Sequence, residues 1–138
     1  YDGKKVDYVE KDPAWTDADN EWLYCLAYDR HIVKIGQTIS NLKDRYQSYS
    51  CGTDRAMKIG NCSTTNFIVT ECNHLAVTLG MKVEIYGIAV RKKVVKTTRF
   101  GIRKTCVYST VRDKETMLME SFKNTYSHKP FLCVQEGK

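Results

Sequence analysis

The sequence has no long apolar run, no C-x-x-C pair and no histidine spacing suited to a metal, and each absence removes a class of protein. Of its 138 residues 42% are hydrophobic, yet no apolar stretch approaches the roughly 20 residues that a membrane helix needs. No membrane element is therefore expected. The three histidines, His31, His74 and His128, are scattered along the chain, which argues against a structural zinc site. The six cysteines, Cys25, Cys51, Cys62, Cys72, Cys106 and Cys133, are even in number, which in a short secreted chain would suggest a disulfide framework. Three of them lie in apolar or strand-like stretches, and no signal peptide precedes them. Free, mostly buried thiols in a reducing cytoplasmic setting are the expectation. Acidic residues are missing locally: none occurs between positions 91 and 104.

What is present fits one domain with one hydrophobic core. The formal charge of +6 and a sequence pI near 9.0 suggest a polyanionic partner, and the distribution of that charge matters more than its sum. The first residue is Tyr1 rather than Met, and the sequence leaves a trimmed start and a place within a longer protein equally open. Residues 1–20 carry mixed charges, Pro13 and few aliphatics, and read as an arm or loop ahead of the core. Asp17, Asp19 and Glu21 read as a solvated acidic face rather than a metal cluster.

From position 22 to 28, Trp22, Tyr24, Leu26 and Tyr28 alternate with Leu23, Cys25 and Ala27, the pattern of a strand buried on both faces. Asp29, Arg30 and His31 supply a turn, and residues 32–35 return as a second strand that ends at Gly36. Ser40 or Asn41 can cap a helix whose apolar face is Leu42, Tyr46 and Tyr49. Arg45 falls on that face as well, three residues from Leu42 and four from Tyr49. A polar loop over 50–61 then leads to a helix with Ile68, Cys72, Leu75 and Leu79 at helical spacing and Gly80 just past its end. Residues 83–90 alternate as a third strand. The stretch 91–104 holds Arg91, Lys92, Lys93, Lys96, Arg99, Arg103 and Lys104 among β-branched residues, broken at Gly101. It reads as a basic hairpin that tracks a phosphate backbone, the alternative being a solvated charged face. A last helix from about Asp113 to Tyr126 has Leu118, Met119, Phe122 and Tyr126 as its apolar stripe, and Glu115 lies on that side. Glu120 falls on the polar side.

Two charges on apolar helix faces are the anomalies. An inward arginine is most simply a snorkelling side chain or one paired to a carboxylate, but a permanently charged fork of donors also suits a phosphate. An inward carboxylate is costly unless it is paired, protonated or metal-bound. Pairing with Arg45 is the plain explanation of Glu115, and a nuclease metal site is the sharper one.

The segment LYCLAYDRHIVKIGQT, with Arg45 following Gly36 and Glu115 on a late helix, resembles the GIY-YIG nuclease superfamily. Its first motif corresponds to Leu23-Tyr24-Cys25 and its second to Lys34-Ile35-Gly36. KIGQTISNLKDRYQSYSCG, NCSTTNF, KVEIYGIAV and ETMLMESFKNTYSHKPFLCVQ are together similar to the small GIY-YIG type II restriction endonucleases, a likeness that runs from about Leu23 to Gln135. The resemblance implies a compact α/β fold with a small central antiparallel sheet flanked by helices and a basic β-hairpin-like insertion. The nuclease domain then spans 22–138, behind an arm over 1–21. The implied activity is divalent-metal-dependent cleavage of double-stranded DNA by a homodimer. Carried over, Tyr24 is the general base or water-positioning residue, and Lys34 stabilises the phosphate or assists deprotonation. Arg45 contacts the scissile phosphate, Tyr49 supports it, and Glu115 holds one Mg2+ or Mn2+. Gln37 stands where similar enzymes have a histidine, and Gln135 is the nearest candidate for a late asparagine. Two other functions stay open: a toxin or effector nuclease with little sequence specificity, and a DNA-binding module weakened in catalysis.

Overall fold

The computed structural model describes residues 11–17 and 19–134; Gln135 and the front of the arm lie outside that range. Three strands form the central antiparallel sheet. β1 (Glu21–Tyr28) is its middle strand, β2 (His31–Thr38) and β3 (Val83–Val90) are its edges, and the order is β2-β1-β3. Asp29 and Arg30 both sit at positive φ in the tight turn between β1 and β2, the conformation that matches the twist of a two-residue hairpin. The helices are α1 (Leu42–Ser50), α2 (Asp54–Lys58), α3 (Thr64–Thr78) and α4 (Val111–Tyr126). Strands β4 (Lys93–Arg99) and β5 (Ile102–Tyr108) form a separate two-stranded sheet, the hairpin expected from the basic stretch.

Alternation along β1 divides the core into two layers. Trp22, Tyr24 and Leu26 face α1 and α3 and pack with Leu42, Tyr46, Tyr49 and Val69. Leu23 faces the other way and packs with Val90, Val111 and Leu118, so α4 covers the second face. Asn41 caps α1, its side chain accepting the Asp44 N–H at 2.8 Å, and Ser63 caps α3 in the same way; each such cap stabilises a helix by about 1 kcal/mol.

Several sequence expectations are corrected. The second strand continues through Gly36 to Thr38. Gly36 does not end it but lies opposite Tyr24, where an added Cβ would come within 2.5 Å of the phenol oxygen. Residues 50–61 hold the short helix α2 rather than loop alone. Half of the stripe expected of α3 holds: Ile68 and Cys72 pack against the core, but Leu75 and Leu79 are 59% and 67% exposed, and Val69, Thr70, Asn73 and Ala76 are the buried residues. In α4 the buried residues are Val111 and Phe122, and Tyr126 is exposed. Trp15, from the expected arm, sits in a short 3-10 turn (Pro13–Thr16) and packs tilted against Tyr46, ring centroids 5.7 Å apart, at the rim of the core. The six thiols are free, but five are half-buried, Cys72 among them packing against the core, and Cys51 is exposed.

The two glycines that flank Tyr24 across the sheet make a test. At Gly36 a methyl group meets the Tyr24 hydroxyl and its ring carbon at 2.5 and 2.6 Å; at Gly87, the partner of Tyr24 on β3, its hardest contact is the flexible end of Leu42, with the Trp22 ring next at 3.2 Å. Gly36→Ala is expected to destabilise the fold by about 1–3 kcal/mol, and Gly87→Ala by less, as read from urea denaturation midpoints. Equal or reversed effects would contradict this packing.

Candidate active site

Antiparallel register sets the first part of the site. Tyr24 pairs with Gly36 and Leu26 with Lys34, so Tyr24 and Lys34 project from the same face of adjacent strands. α1 lies over that face and brings Arg45 and Tyr49, one turn apart, onto Tyr24. The Arg45 Nε–H donates to the Tyr24 hydroxyl at 2.9 Å, an Nη2–H donates to the Tyr49 hydroxyl at 3.1 Å, and the two hydroxyls are 2.5 Å apart. The guanidinium carbon also stands 4.9 Å from the Tyr49 ring centroid, within cation–π range. Tyr49 is fixed in turn from α3, where the Thr70 hydroxyl donates to its carbonyl oxygen. This accounts for the inward arginine: its hydrogen-bond partners are phenols, not a carboxylate.

Lys34 is 7% exposed, and its ammonium donates to the Leu132 carbonyl at 3.4 Å. That carbonyl belongs to a tail that runs along the free edge of β2: the Leu132 N–H donates to the Val33 carbonyl at 2.8 Å, and the Cys133 thiol contacts the Ile35 backbone. Burial pushes the Lys34 ammonium below its ordinary range, and Arg45 adds to the effect, while Cys133 and Glu115 oppose it. A lysine so placed has a neutral amine within easier reach.

Glu115 completes the group from the opposite layer. It is half-buried on α4, between Val111 and Leu118 and thus toward the sheet. Lys34, Arg112 and Arg45 are the charges that act on it. Of the residues singled out in the sequence, Tyr24, Arg45 and Tyr49 meet through hydrogen bonds, and Lys34 and Arg45 both act on Glu115. Gln37 lies on β2 opposite Leu23, on the α4 side of the sheet, and its buried Oε1 has no hydrogen-bond partner among the described residues. Arg112 was missed; its position one turn before Glu115 was the available signal. Glu21, set aside as a solvated acid, is buried and accepts from the Ser109 hydroxyl at 2.9 Å.

The charges divide the labour. Burial, then the neighbouring Tyr24, pushes the Tyr49 hydroxyl far above its ordinary value, so Tyr49 keeps its proton and can donate it in a hydrogen bond to Tyr24. Burial pulls the Arg45 guanidinium down, but the two phenol groups outweigh it and hold it up. Tyr49 and Arg45, both able to donate, thus meet at the Tyr24 oxygen. Among the described residues no group of three His, Cys, Asp or Glu side chains comes together. A lone carboxylate fits a hard divalent ion that keeps most of its waters and takes its remaining ligands from a substrate phosphate.

Burial raises the Glu115 carboxyl above its ordinary 4.5 despite the three cations. The folded chain therefore binds this proton more tightly than the unfolded chain, giving a stability contribution that is full below pH 4.5 and is lost as pH rises through the raised value. Glu115→Gln, which cannot ionise, is expected to flatten that decline and to be the more stable protein at neutral pH. Urea midpoints measured across the window check this, and a variant with an unchanged pH slope would contradict it.

Compared with solved structures, the chain is similar to the restriction endonuclease HPY188I in complex with product DNA, with a TM-score of 0.54 and 27% sequence identity over 96% of this chain and 73% of that one. It is also similar to a mutant of bacteriophage T4 EndoII, with a TM-score of 0.50 and 21% identity over 78% of this chain and 71% of that one, a likeness of fold. No family model and no curated sequence matches the chain. Its mixed α/β architecture, small antiparallel sheets flanked by helices, is similar to nuclease folds, and the likeness supports a DNA endonuclease function.

Proposed function

We propose that the protein is a metal-dependent, sequence-specific endonuclease of the GIY-YIG restriction type that cuts double-stranded DNA as a homodimer. The observation that carries this reading is the convergence of one guanidinium on two buried phenols, beside a buried lysine and a half-buried carboxylate from another layer. A structural ion pair needs one cation and one acid; this arrangement gathers a candidate proton acceptor, a fixed positive charge and a candidate metal ligand beside the outer strand of the sheet. The exposed cations of β4 and β5 with Arg91 and Lys92 give the proposed site a surface for the phosphate backbone.

In the proposed reaction Tyr24 acts as its phenolate and takes the proton of an attacking water, with Lys34 assisting, while a bond forms from that water's oxygen to phosphorus. The bond from phosphorus to the leaving oxygen breaks in the same displacement. Arg45 uses two of its five N–H donors on the phenols, and the fork has others to hold the non-bridging phosphate oxygens. Glu115 would hold Mg2+ or Mn2+, and the bound ion supplies neutralisation of the phosphate and of the departing oxygen. Tyr49 remains protonated and keeps Tyr24 aligned.

Incubation with plasmid DNA tests the proposal. Discrete fragments are expected with Mg2+ and none with EDTA, whereas no cleavage with any divalent ion would remove the enzyme claim, and a featureless smear would remove sequence specificity. Arg45→Ala is expected to slow cleavage by about 10²–10³-fold. Glu115→Gln is expected to abolish cleavage while DNA affinity in a gel-shift assay stays close to that of the wild type. A fully active Glu115→Gln protein would contradict the metal assignment.

A further inference from the structure

The hairpin of β4 and β5 carries a feature that phosphate contacts do not use. Its register closes at Arg99 opposite Ile102, leaving Phe100 and Gly101 as a two-residue turn. Both have positive φ, 53° and 72°, the pattern of the tight hairpin turn that favours Asn, Asp or Gly at its first position. A bulky aromatic there is conformationally disfavoured. The Phe100 ring is also 98% exposed, so it contributes nothing to the core in return.

The surroundings of the ring select its partner. No acidic residue occurs from 91 to 112. By register, Lys93, Arg99 and Lys104 lie on one face of the ribbon and Lys96 and Arg103 on the other, and all five are exposed. Cations on both faces suit a groove, which has a phosphate wall on each side. The centre of a protein interface is instead depleted of charge. Seven-residue strands extend roughly 23 Å, enough for the tip to reach the base stack while the rest of the ribbon follows the backbone. We infer that Phe100 is a wedge that inserts at a base step of duplex DNA and unstacks it, with the ribbon cations holding the flanking phosphates.

This inference rests on the reading that the chain binds duplex DNA, and the test separates the two. Binding to a duplex is measured in EDTA, unstacking is mapped by permanganate reactivity of thymines, and plasmid cleavage in Mg2+ is followed in parallel. Phe100→Asn removes the ring but places at that turn a residue at ease with positive φ, so the hairpin itself is preserved. It is expected to weaken binding about tenfold and to erase the reactive thymines, and Phe100→Trp is expected to restore both. Wild-type DNA that is bound and cut yet fully stacked overturns the wedge alone, as does Phe100→Asn with unchanged affinity and reactivity. A change in oligomer mass instead of affinity, or binding of anionic phospholipid vesicles in place of DNA, also overturns it. A wild-type protein that neither binds nor cuts duplex DNA removes the wedge and the endonuclease reading together.

Discussion

One guanidinium bound to two phenols is the constraint around which the body is arranged. Placing Arg45 beneath a helix demands compensation for its charge, and the hydroxyls of Tyr24 and Tyr49 provide it without neutralising it. Tyr24 can reach that point only because its ring passes over Gly36, where any side chain would collide with it. Tyr49 can reach it only because α1 is held against α3 through the Thr70 hydroxyl. The position of the helix, a bare backbone position in a strand and a threonine on another helix all answer to the same three side chains.

The sheet acts as a partition. Tyr24, Lys34 and α1 lie on one side and α4 on the other, and the shared neighbourhood forms where the partition ends, at the outer edge of β2. This explains why groups so distant in sequence act on one another electrostatically. A carboxylate within the same layer as Arg45 would pair with it directly. From across the edge, Glu115 feels three cations while its carboxyl is still raised by burial, which leaves it available to another cation.

Much of this was legible because strands and helices announce their faces. Alternation located Tyr24, and spacing of three and four placed Arg45 and Glu115 inward; both inferences depend only on backbone geometry. The errors fell where a tertiary contact, not hydropathy, chose the residue. Gly36 looked like a terminator because its reason, the Tyr24 ring, sits on the neighbouring strand. The face of α3 was placed only in part, with Ile68 and Cys72 against the core, because its buried side also includes Thr70 and Asn73, which make specific bonds to the Tyr49 carbonyl and the Tyr28 hydroxyl, while Leu75 and Leu79 are exposed. A pattern that counts apolar residues cannot see polar residues buried for their hydrogen bonds. Arg112 escaped for the opposite reason: on an exposed helix surface a basic residue is unremarkable until its neighbour is known.

The tail beyond α4 has a consequence for how little of this chain makes a working unit. Leu132 joins the first core layer and offers its N–H to Val33 and its carbonyl to Lys34. Chain cut after Tyr126 would retain every helix and strand among the described residues, yet it would bare the β2 edge to pairing with other strands and return water to the buried lysine. The minimal domain therefore extends past the last regular element, to at least Cys133.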